Sequence, residues 1–478
     1  MIEYDKQKAA RSFTTAELVL PFGMFKSIHD YLFGDKTKEY ACYLLCGQHI
    51  VRRTLRLLSC FLVLPEESDY ESHSLTGVRL RRSLLIEVLS ECKKHGLSLI
   101  DIHSHPFASN SVGFSGIDEA DEQEKADWFV RNLPNAFYGS VVLAPNCHKA
   151  RVRTANHAIV EVDLRLRTLE PPLSIEGAGS STDRRPPFAA TLDRHVRAFG
   201  PEGQQKLSAA RISIVGVGGL GAGLAVGLTQ LGATRFTLID PDRADAHNLN
   251  RVTGMGSIDA KLRSKKVEIV ARAMLRINPK VRCRLIDESV LQERVWSRLI
   301  HSDLIITSTD NHASRMLLNV ISQVYLIPQV SVGTLIETKE QQIDGGYGHV
   351  IVMLPGHNRR CLLCSKIVNP VEAYYENASS QHRAEAAKRG YITNVDIPAP
   401  SVVHLNGVLL NLGLIEIHNL FCGFKEPSRY LLYDLLEQEI LHVVEDETQC
   451  GVCSPGGGYF GRGDKSLVRN LFKELGSQ

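Results

Sequence analysis

Hydrophobic positions in the first third of the chain come in short runs. Ala41 to Gly47 (ACYLLCG), Ser98 to Ile102 (SLIDI), Ser140 to Leu143 and Val160 to Leu166 read as strands, whereas Leu84 to His95 and Ile117 to Leu133 repeat their apolar residues at helical spacing. This part of the sequence is α+β. From about Leu169 to Phe188 the sequence LEPPLSIEGAGSSTDRRPPF loses its periodicity and clusters Pro, Gly and Ser, the signature of a flexible linker. After it the pattern changes. Arg211 to Val215 is an apolar strand running into a glycine-rich turn, Leu220 to Leu231 a helix and Phe236 to Ile239 a second strand. Strands at Val281 to Ile286, Leu304 to Ser308 and Ile327 to Val332 alternate with helices at Lys265 to Leu275 and Ser314 to Tyr325, which predicts a mainly parallel sheet covered on both faces. The expected organisation is α/β: an α+β domain over residues 1–168, a linker over 169–187 and a Rossmann-like domain over 188–478.

Charge narrows the partners. With 55 Lys and Arg against 53 Asp and Glu, the net charge of +2 gives no global field toward nucleic acid or an anionic membrane. The opening MIEYDKQKAARSF has no apolar segment, and runs such as Leu57 to Leu64 fall far short of the roughly 20 residues needed to span a bilayer. A cytoplasmic protein is expected, with no nucleic acid or membrane partner. Four of the 11 cysteines form two CxxC pairs, which without a signal peptide argues for metal rather than disulfides.

The SLIDI strand ends in His103-Ser104-His105-Pro106, followed by Ser115-Gly116-Ile117-Asp118. Two imidazoles one residue apart on an extended segment point the same way, and a carboxylate from the start of the next helix completes a three-ligand zinc site with one position open for water. Zinc lowers the pKa of that water toward about 7. A general base is still needed, and Glu39, just before ACYLLCG, is the candidate, with Glu66, Glu67 and Glu71 as alternatives. These residues resemble the JAMM signature of the JAB/MPN metallo-isopeptidases, a Glu followed by HxH and SxxD, over roughly residues 1–168. The resemblance implies that His103, His105 and Asp118 bind catalytic zinc, that Glu39 shuttles the proton and that Ser115 helps hold the oxyanion. Nine residues separate His105 from Ser115, about two more than is usual there, so a longer or differently shaped loop is expected.

The second constellation is Gly216-Val217-Gly218-Gly219-Leu220-Gly221, between the RISIV strand and a helix, where backbone amides can approach phosphates. Asp240 ends the second strand, 19 residues beyond Gly221, and is placed for ribose hydroxyls, with Asp242 beside it as a further nucleotide-binding candidate. Asn248 to Arg251 (NLNR), Lys265-Lys266 and Asp310 add cations for a triphosphate and a carboxylate for Mg²⁺, neither of which a nicotinamide dinucleotide requires. The segment resembles the ThiF/MoeB family of adenylating enzymes, related to ubiquitin-activating enzyme, over roughly residues 188–455. That resemblance implies ribose binding by Asp240, phosphate binding by Asn248, Arg251 and Lys266 (or Lys265), and Mg²⁺ binding by Asp310. It also implies a homodimer through this domain, with Arg197 of the LDRHVR segment reaching the ATP of the other subunit. Cys361, Cys364, Cys450 and Cys453 would hold a structural zinc.

The implied reaction is attack by a C-terminal carboxylate on the α-phosphate of ATP, giving an acyl-adenylate. Thioester-forming relatives carry a Cys in the crossover segment; here Gly390 to Ser401 has none, and Cys422 reads as a core residue at the end of an apolar helix. Together the two resemblances imply a bifunctional enzyme of a bacterial ubiquitin-like pathway, which trims or removes a ubiquitin-like protein, adenylates its C-terminus and passes the adenylate to an external thiol such as that of a conjugating-enzyme-like partner. Two alternatives stand beside it: sulfur-carrier activation for cofactor biosynthesis, and a modifier-binding scaffold with one silent domain.

Overall fold

The run ACYLLCG is apolar at every position because both of its faces are covered. Cys42, Leu44 and Cys46 point into one core with Leu18, Leu57, Ile100 and Val141, while Tyr43 and Leu45 point into another with Val88, Cys92, Phe129 and Tyr138. Strict alternation along a strand produces this division. The computed structural model describes residues 13–108, 110–153, 161–175, 190–340, 342–356, 360–376, 378–389, 392, 400–444 and 450–474. They fall into two compact units: Met1–Leu169 with Val324–Leu326 and Gly451–Lys465, and Glu170–Gln323 with Ile327–Cys450 and Ser466–Gln478.

The first unit holds β1 (Thr15–Leu20), α1 (Met24–Phe33), β2 (Ala41–Val51), β3 (Thr54–Val63), the hairpin β4 (Tyr70–Ser74) and β5 (Gly77–Leu80), α2 (Arg82–His95), β6 (Ser98–Ser104), α3 (Gly116–Asn132), β7 (Tyr138–Leu143), β8 (His148–Arg153) and β9 (Glu161–Thr168). Seven of the strands close a barrel in the order β1-β3-β2-β6-β7-β8-β9. Closure leaves no edge and gives the barrel one buried interior, while α2 and α3 cover an outer face through Val88, Cys92, Ala126 and Phe129. Two expectations of the sequence need correction here. Residues 451–465, assigned to the second domain, pack in this unit: the Cys60 thiol donates to the Gly461 carbonyl at 3.1 Å, and a Cβ on Gly47 would meet that same oxygen at 2.1 Å. The first residues of the expected linker are also packed against the fold. Leu169 is buried and its N–H donates to the Leu20 carbonyl at 3.1 Å, and in the second unit Leu173 N–H donates to Leu420 at 2.8 Å, with Leu173 and Ile175 buried. The remainder of the expected linker lies outside the described residues.

The second unit holds β10 (Arg211–Val215), α4 (Gly219–Gln230), β11 (Arg235–Ile239), α5 (Lys266–Ile277), β12 (Arg282–Ile286), β13 (Leu304–Thr307), α6 (His312–Tyr325) except its last two residues, β14 (Gln329–Lys339), β15 (Gln342–Met353), α7 (Val403–Cys422), β16 (Tyr430–Asp434) and β17 (Glu439–His442). Its sheet runs β12-β11-β10-β13-β14-β15-β16-β17. The pairings from β12 through β14 are parallel and those from β14 through β17 antiparallel. The antiparallel half escaped the sequence reading because ETKEQQIDGGYG is polar and glycine-rich, a turn signal rather than a strand signal.

The glycines of α4 do two jobs. A Cβ on Gly223 would meet Leu410 at 1.9 Å, and one on Gly227 would meet Leu414 at 2.5 Å. Gly219, Gly223 and Gly227 recur every fourth residue on one face, and α7 lays Asn406, Leu410 and Leu414, also four apart, into that groove. α7, with 20 residues, is the one described helix long and apolar enough to cross a membrane by length and composition, contrary to the expectation of no such stretch. In this fold its apolar surface covers α4, β14 and β15.

Candidate functional site

On β6, Ile100 and Ile102 point into the barrel, so Asp101 and His103 leave by the opposite face. Ser104 turns inward between the two histidines and ties them to the base candidate. Its buried Oγ accepts from Tyr40 N–H at 2.9 Å, its N–H donates to the Tyr40 carbonyl at 2.9 Å, and Glu39 N–H donates to Ser74 at 2.8 Å. Asp118 arrives from α3. The SxxD spacing proves to be a capping box: Ser115 Oγ accepts from Asp118 N–H at 3.2 Å and Asp118 Oδ2 accepts from Ser115 N–H at 2.6 Å. That local device, readable in principle from the sequence, fixes the Asp118 carboxylate at the start of the helix.

The three groups converge. Nε2 of His103 and Nε2 of His105 each stand 3.5 Å from an Asp118 oxygen, Glu39 Oε1 stands 3.9 Å from His105 Nε2, and the donor atoms of His103, His105 and Asp118 lie within 4.8 Å of one another. Nε2 of His103 is buried and makes no hydrogen bond within the geometric limit among the described residues. Burial raises the Glu39 carboxyl above its ordinary range, against the pull of His105 and His103. Burial pushes Asp118 the same way, but the two imidazoles outweigh it and hold the carboxyl well below the usual range; Asp118 in turn raises His105. Of the alternative bases, Glu67 pairs with His73 at 2.8 Å, and Glu66 and Glu71 are exposed. The long loop before Ser115 ends on Phe114, whose ring lies 3.8 Å under the guanidinium of Arg151. Arg151 is itself buried and paired with Glu122.

In the second unit the glycines of the turn separate by role. Gly216 has φ of +83° and a Cβ there would meet Ser308 O at 2.7 Å; a Cβ on Gly221 would meet Gly216 O at 1.9 Å. Both are required by the protein itself. Gly218 differs, because a Cβ there would meet nothing within 4 Å, so this is the side open to a ligand. Asp240 is buried and accepts from Val217 N–H at 2.7 Å and Asp242 N–H at 2.8 Å, which ties the ribose candidate to the glycine turn; burial raises its carboxyl, opposed by Lys266. Lys266 is the lysine that joins this cluster, with Nζ 2.7 Å from Asp242 Oδ2, whereas Lys265 turns to Asp287 at 2.7 Å. Asn248 is buried and caps a turn by accepting from Asp245 N–H at 3.1 Å. Arg251 donates to the His247 carbonyl at 2.7 Å and lies against Gly219.

Asp310 is exposed at the end of β13, just before α6. Glu376, which no sequence signal singled out, caps that helix by accepting from His312 N–H at 2.9 Å and Ala313 N–H at 2.7 Å. Arg197 is largely exposed and pairs with Asp193 at 2.9 Å, one turn away on its own helix. Sγ of Cys361 stands 3.8 Å from that of Cys364 and 4.0 Å from that of Cys450, and with Cys453 the four sulfurs lie within 4.8 Å of one another. Burial pushes the half-buried Cys422 thiol up to about 11, although Lys206 draws it down. The crossover residues 390, 391 and 393–399 lie outside the described residues.

A strand, glycine turn and helix followed by an acidic strand end define a nucleotide-binding α/β protein. The model of the ThiF family matches residues 192–452, and the chain belongs to that family. The match begins well after the HSH segment. The chain is 31% identical over 261 residues to the molybdopterin-synthase adenylyltransferase of Salmonella typhimurium, covering 54% of this chain and 92% of that protein. It is 30% identical over 133 residues to the sulfur carrier protein adenylyltransferase of Thermus thermophilus, 27% of this chain and about half, 48%, of that one. Among solved structures, E. coli MccB with ATP is similar at a TM-score of 0.43 and 18% identity, covering 56% of this chain and 74% of that one.

Proposed function

We propose that the protein adenylates the C-terminal carboxylate of a small ubiquitin-like or sulfur-carrier protein at the expense of ATP, and that its first unit is a zinc-dependent peptidase acting on the same class of substrate. ThiF membership and the names of the relatives support the first activity. Gly218 leaves room for phosphate at the start of α4, Asp240 faces the ribose, and Arg251 and Lys266 offset charge developing on phosphoryl oxygens as pyrophosphate leaves. Asp310 is the residue that would hold Mg²⁺. In our reading the acyl-adenylate passes straight to an external thiol, because the crossover segment has no cysteine and the Cys422 thiol is held protonated. Arg197 acts on the neighbouring subunit of a homodimer. The four clustered cysteines are a donor set for a closed structural zinc, which would brace the end of the fold and do no chemistry.

The peptidase half rests on one observation, the convergence of Glu39, His103, His105 and Asp118 from three separate segments. His103, His105 and Asp118 would hold zinc, which when bound supplies Lewis-acid activation of water and carbonyl. Glu39 takes the proton of the attacking water and returns it to the leaving amine. Ser115, whose oxygen is occupied in capping α3, keeps its hydroxyl hydrogen to donate to the oxyanion. The relatives' names favour a sulfur carrier over a conjugated modifier as the natural substrate, with the peptidase as its processing enzyme. Two assays on the purified chain test the reading: ATP–pyrophosphate exchange stimulated by a candidate carrier ending in a free carboxylate, and cleavage of its C-terminally extended precursor, lost on chelation and restored by zinc. No exchange and no cleavage with any such carrier would leave only a binding scaffold.

A further inference from the structure

α7 brings a polar side chain to the glycine turn that the motif reading did not include. Asn406 is 4% exposed, and its Nδ2 would stand 2.5 Å from a Cβ on Gly219; the methylenes of Arg251 approach the same point, Cγ at 3.3 Å and Cδ at 3.4 Å. Gly219 is the first residue of α4, where amide hydrogens have no partner within the helix. The amide nitrogen of Asn406 carries two hydrogens. One is donated to Ser401 Oγ at 3.2 Å, and the other has no acceptor among the described residues; Thr334 Oγ1 lies 3.5 Å from the amide oxygen, which orients the oxygen toward β14 and the nitrogen toward the turn. The rest of this helix face is Leu410 and Leu414, set against Gly223 and Gly227, so an apolar residue at 406 would have continued the packing. Burying an amide there costs free energy unless both hydrogens are used.

We propose that Asn406 is a further substrate-contacting residue of the adenylation site, donating its second amide hydrogen to a phosphoryl oxygen held at the start of α4 beside Arg251. This assignment rests on the ATP-dependent reading of the second unit. A donor to an anionic oxygen strengthens binding as charge accumulates on that oxygen, so its effect falls on ATP rather than on the carrier protein.

The test is binding of a non-hydrolysable ATP analogue to the full chain, by calorimetry, with KM for ATP and for the carrier from exchange kinetics. Asn406→Asp keeps the shape and reverses the interaction; it is expected to weaken the analogue by tenfold or more, about the worth of one charge-assisted hydrogen bond. Asn406→Ala is expected to weaken it less, and KM for the carrier to stay unchanged in both. Leu410→Ala, one turn along the same face, reports packing alone and should leave nucleotide affinity near that of the wild type. Equal affinity in wild type, Asp and Ala variants overturns the assignment, as does an equal loss in Leu410→Ala. If the wild-type chain binds no ATP analogue, the adenylation reading falls with it. Should Asn406→Asp fail to fold, the comparison of Asn406→Ala with Leu410→Ala decides.

Discussion

The two sites are assembled in opposite ways. In the first unit, Glu39, His103, His105 and Asp118 come from three segments and their functional atoms face one another across 3.5 to 3.9 Å, with Asp118 alone also held by a backbone amide, that of Ser115. In the second, most motif residues are already engaged with the protein: Asp240 with two backbone amides, Lys266 with Asp242, Asn248 with its own turn, Arg251 with His247. The first arrangement is the one we propose to hold a metal. Under the function proposed above, the second is a pre-set cradle in which ATP would exchange existing partners for its own, so a substitution there would disturb the resting structure as well as binding.

The contrast breaks most visibly if the sites are not independent. Lys266→Ala is expected to lower ATP–pyrophosphate exchange by about 100- to 1000-fold, the scale of losing one charge-stabilising group, with precursor cleavage unaffected. His103→Ala should do the reverse, abolishing cleavage and one of roughly two bound zinc ions per chain by elemental analysis. A fall in both activities with either variant would mean that the sites work as one.

Next in size is a test confined to the barrel. Glu17 is buried among Arg56 at 3.0 Å, Arg167 at 3.8 Å and Arg165. Burial opposes ionisation, but the three guanidinium groups prevail and lower its pKa from the ordinary 4.5 to about 2. A carboxyl depressed in the folded state stabilises it above the unfolded pKa. The contribution, about 3 kcal/mol, is complete above pH 4.5 and fades as pH falls toward 2. Glu17→Gln leaves buried guanidinium groups without their counterion and should cost about 3 kcal/mol or more, read by denaturant unfolding at pH 7, while exchange by the second unit persists.

A glycine pair sharpens the cradle. Gly221→Ala forces a methyl into Gly216 O and should destabilise by about 1 to 3 kcal/mol, whereas Gly218→Ala should change the melting transition by less than about 0.5 kcal/mol and still weaken ATP. Equal stability losses would show that Gly218 serves the fold. The smallest effect belongs to Cys422→Ala: exchange and transfer to an external thiol are expected within about twofold of wild type, since a thiol with a pKa near 11 is scarcely ionised at neutral pH. A thiol-sensitive adduct on the native chain that disappears in this variant would overturn direct transfer.

Much of each site was legible because its signals are local. HSH on a strand end, SxxD at a helix start and the glycine turn after RISIV each encode their geometry within a few residues, and even the choice of Lys266 was narrowed to two neighbours. What was not legible depends on contacts distant in the chain. Nothing near Glu376 announces that it will cap α6, and nothing near Asn406 announces the glycine turn, 187 residues earlier in the chain. The packing of residues 451–465 onto β2 and β3 was likewise invisible, since glycines at 461 and 463 read as turns whatever surface receives them.

By itself, then, the sequence determined the α/β class, the two-part organisation, the ThiF motifs and the candidate metal ligands that the fold brings together, because period, turn chemistry and ligand spacing are short-range properties of a chain. Only the tertiary structure decided that the first unit closes as a barrel, that half of the second sheet is antiparallel, that Glu39 rather than its rivals stands at the histidines, and that Lys266 and Asn406 reach the cradle. Those outcomes depend on which buried faces meet, and burial is won by the whole fold at once, through contacts that no local window of residues contains.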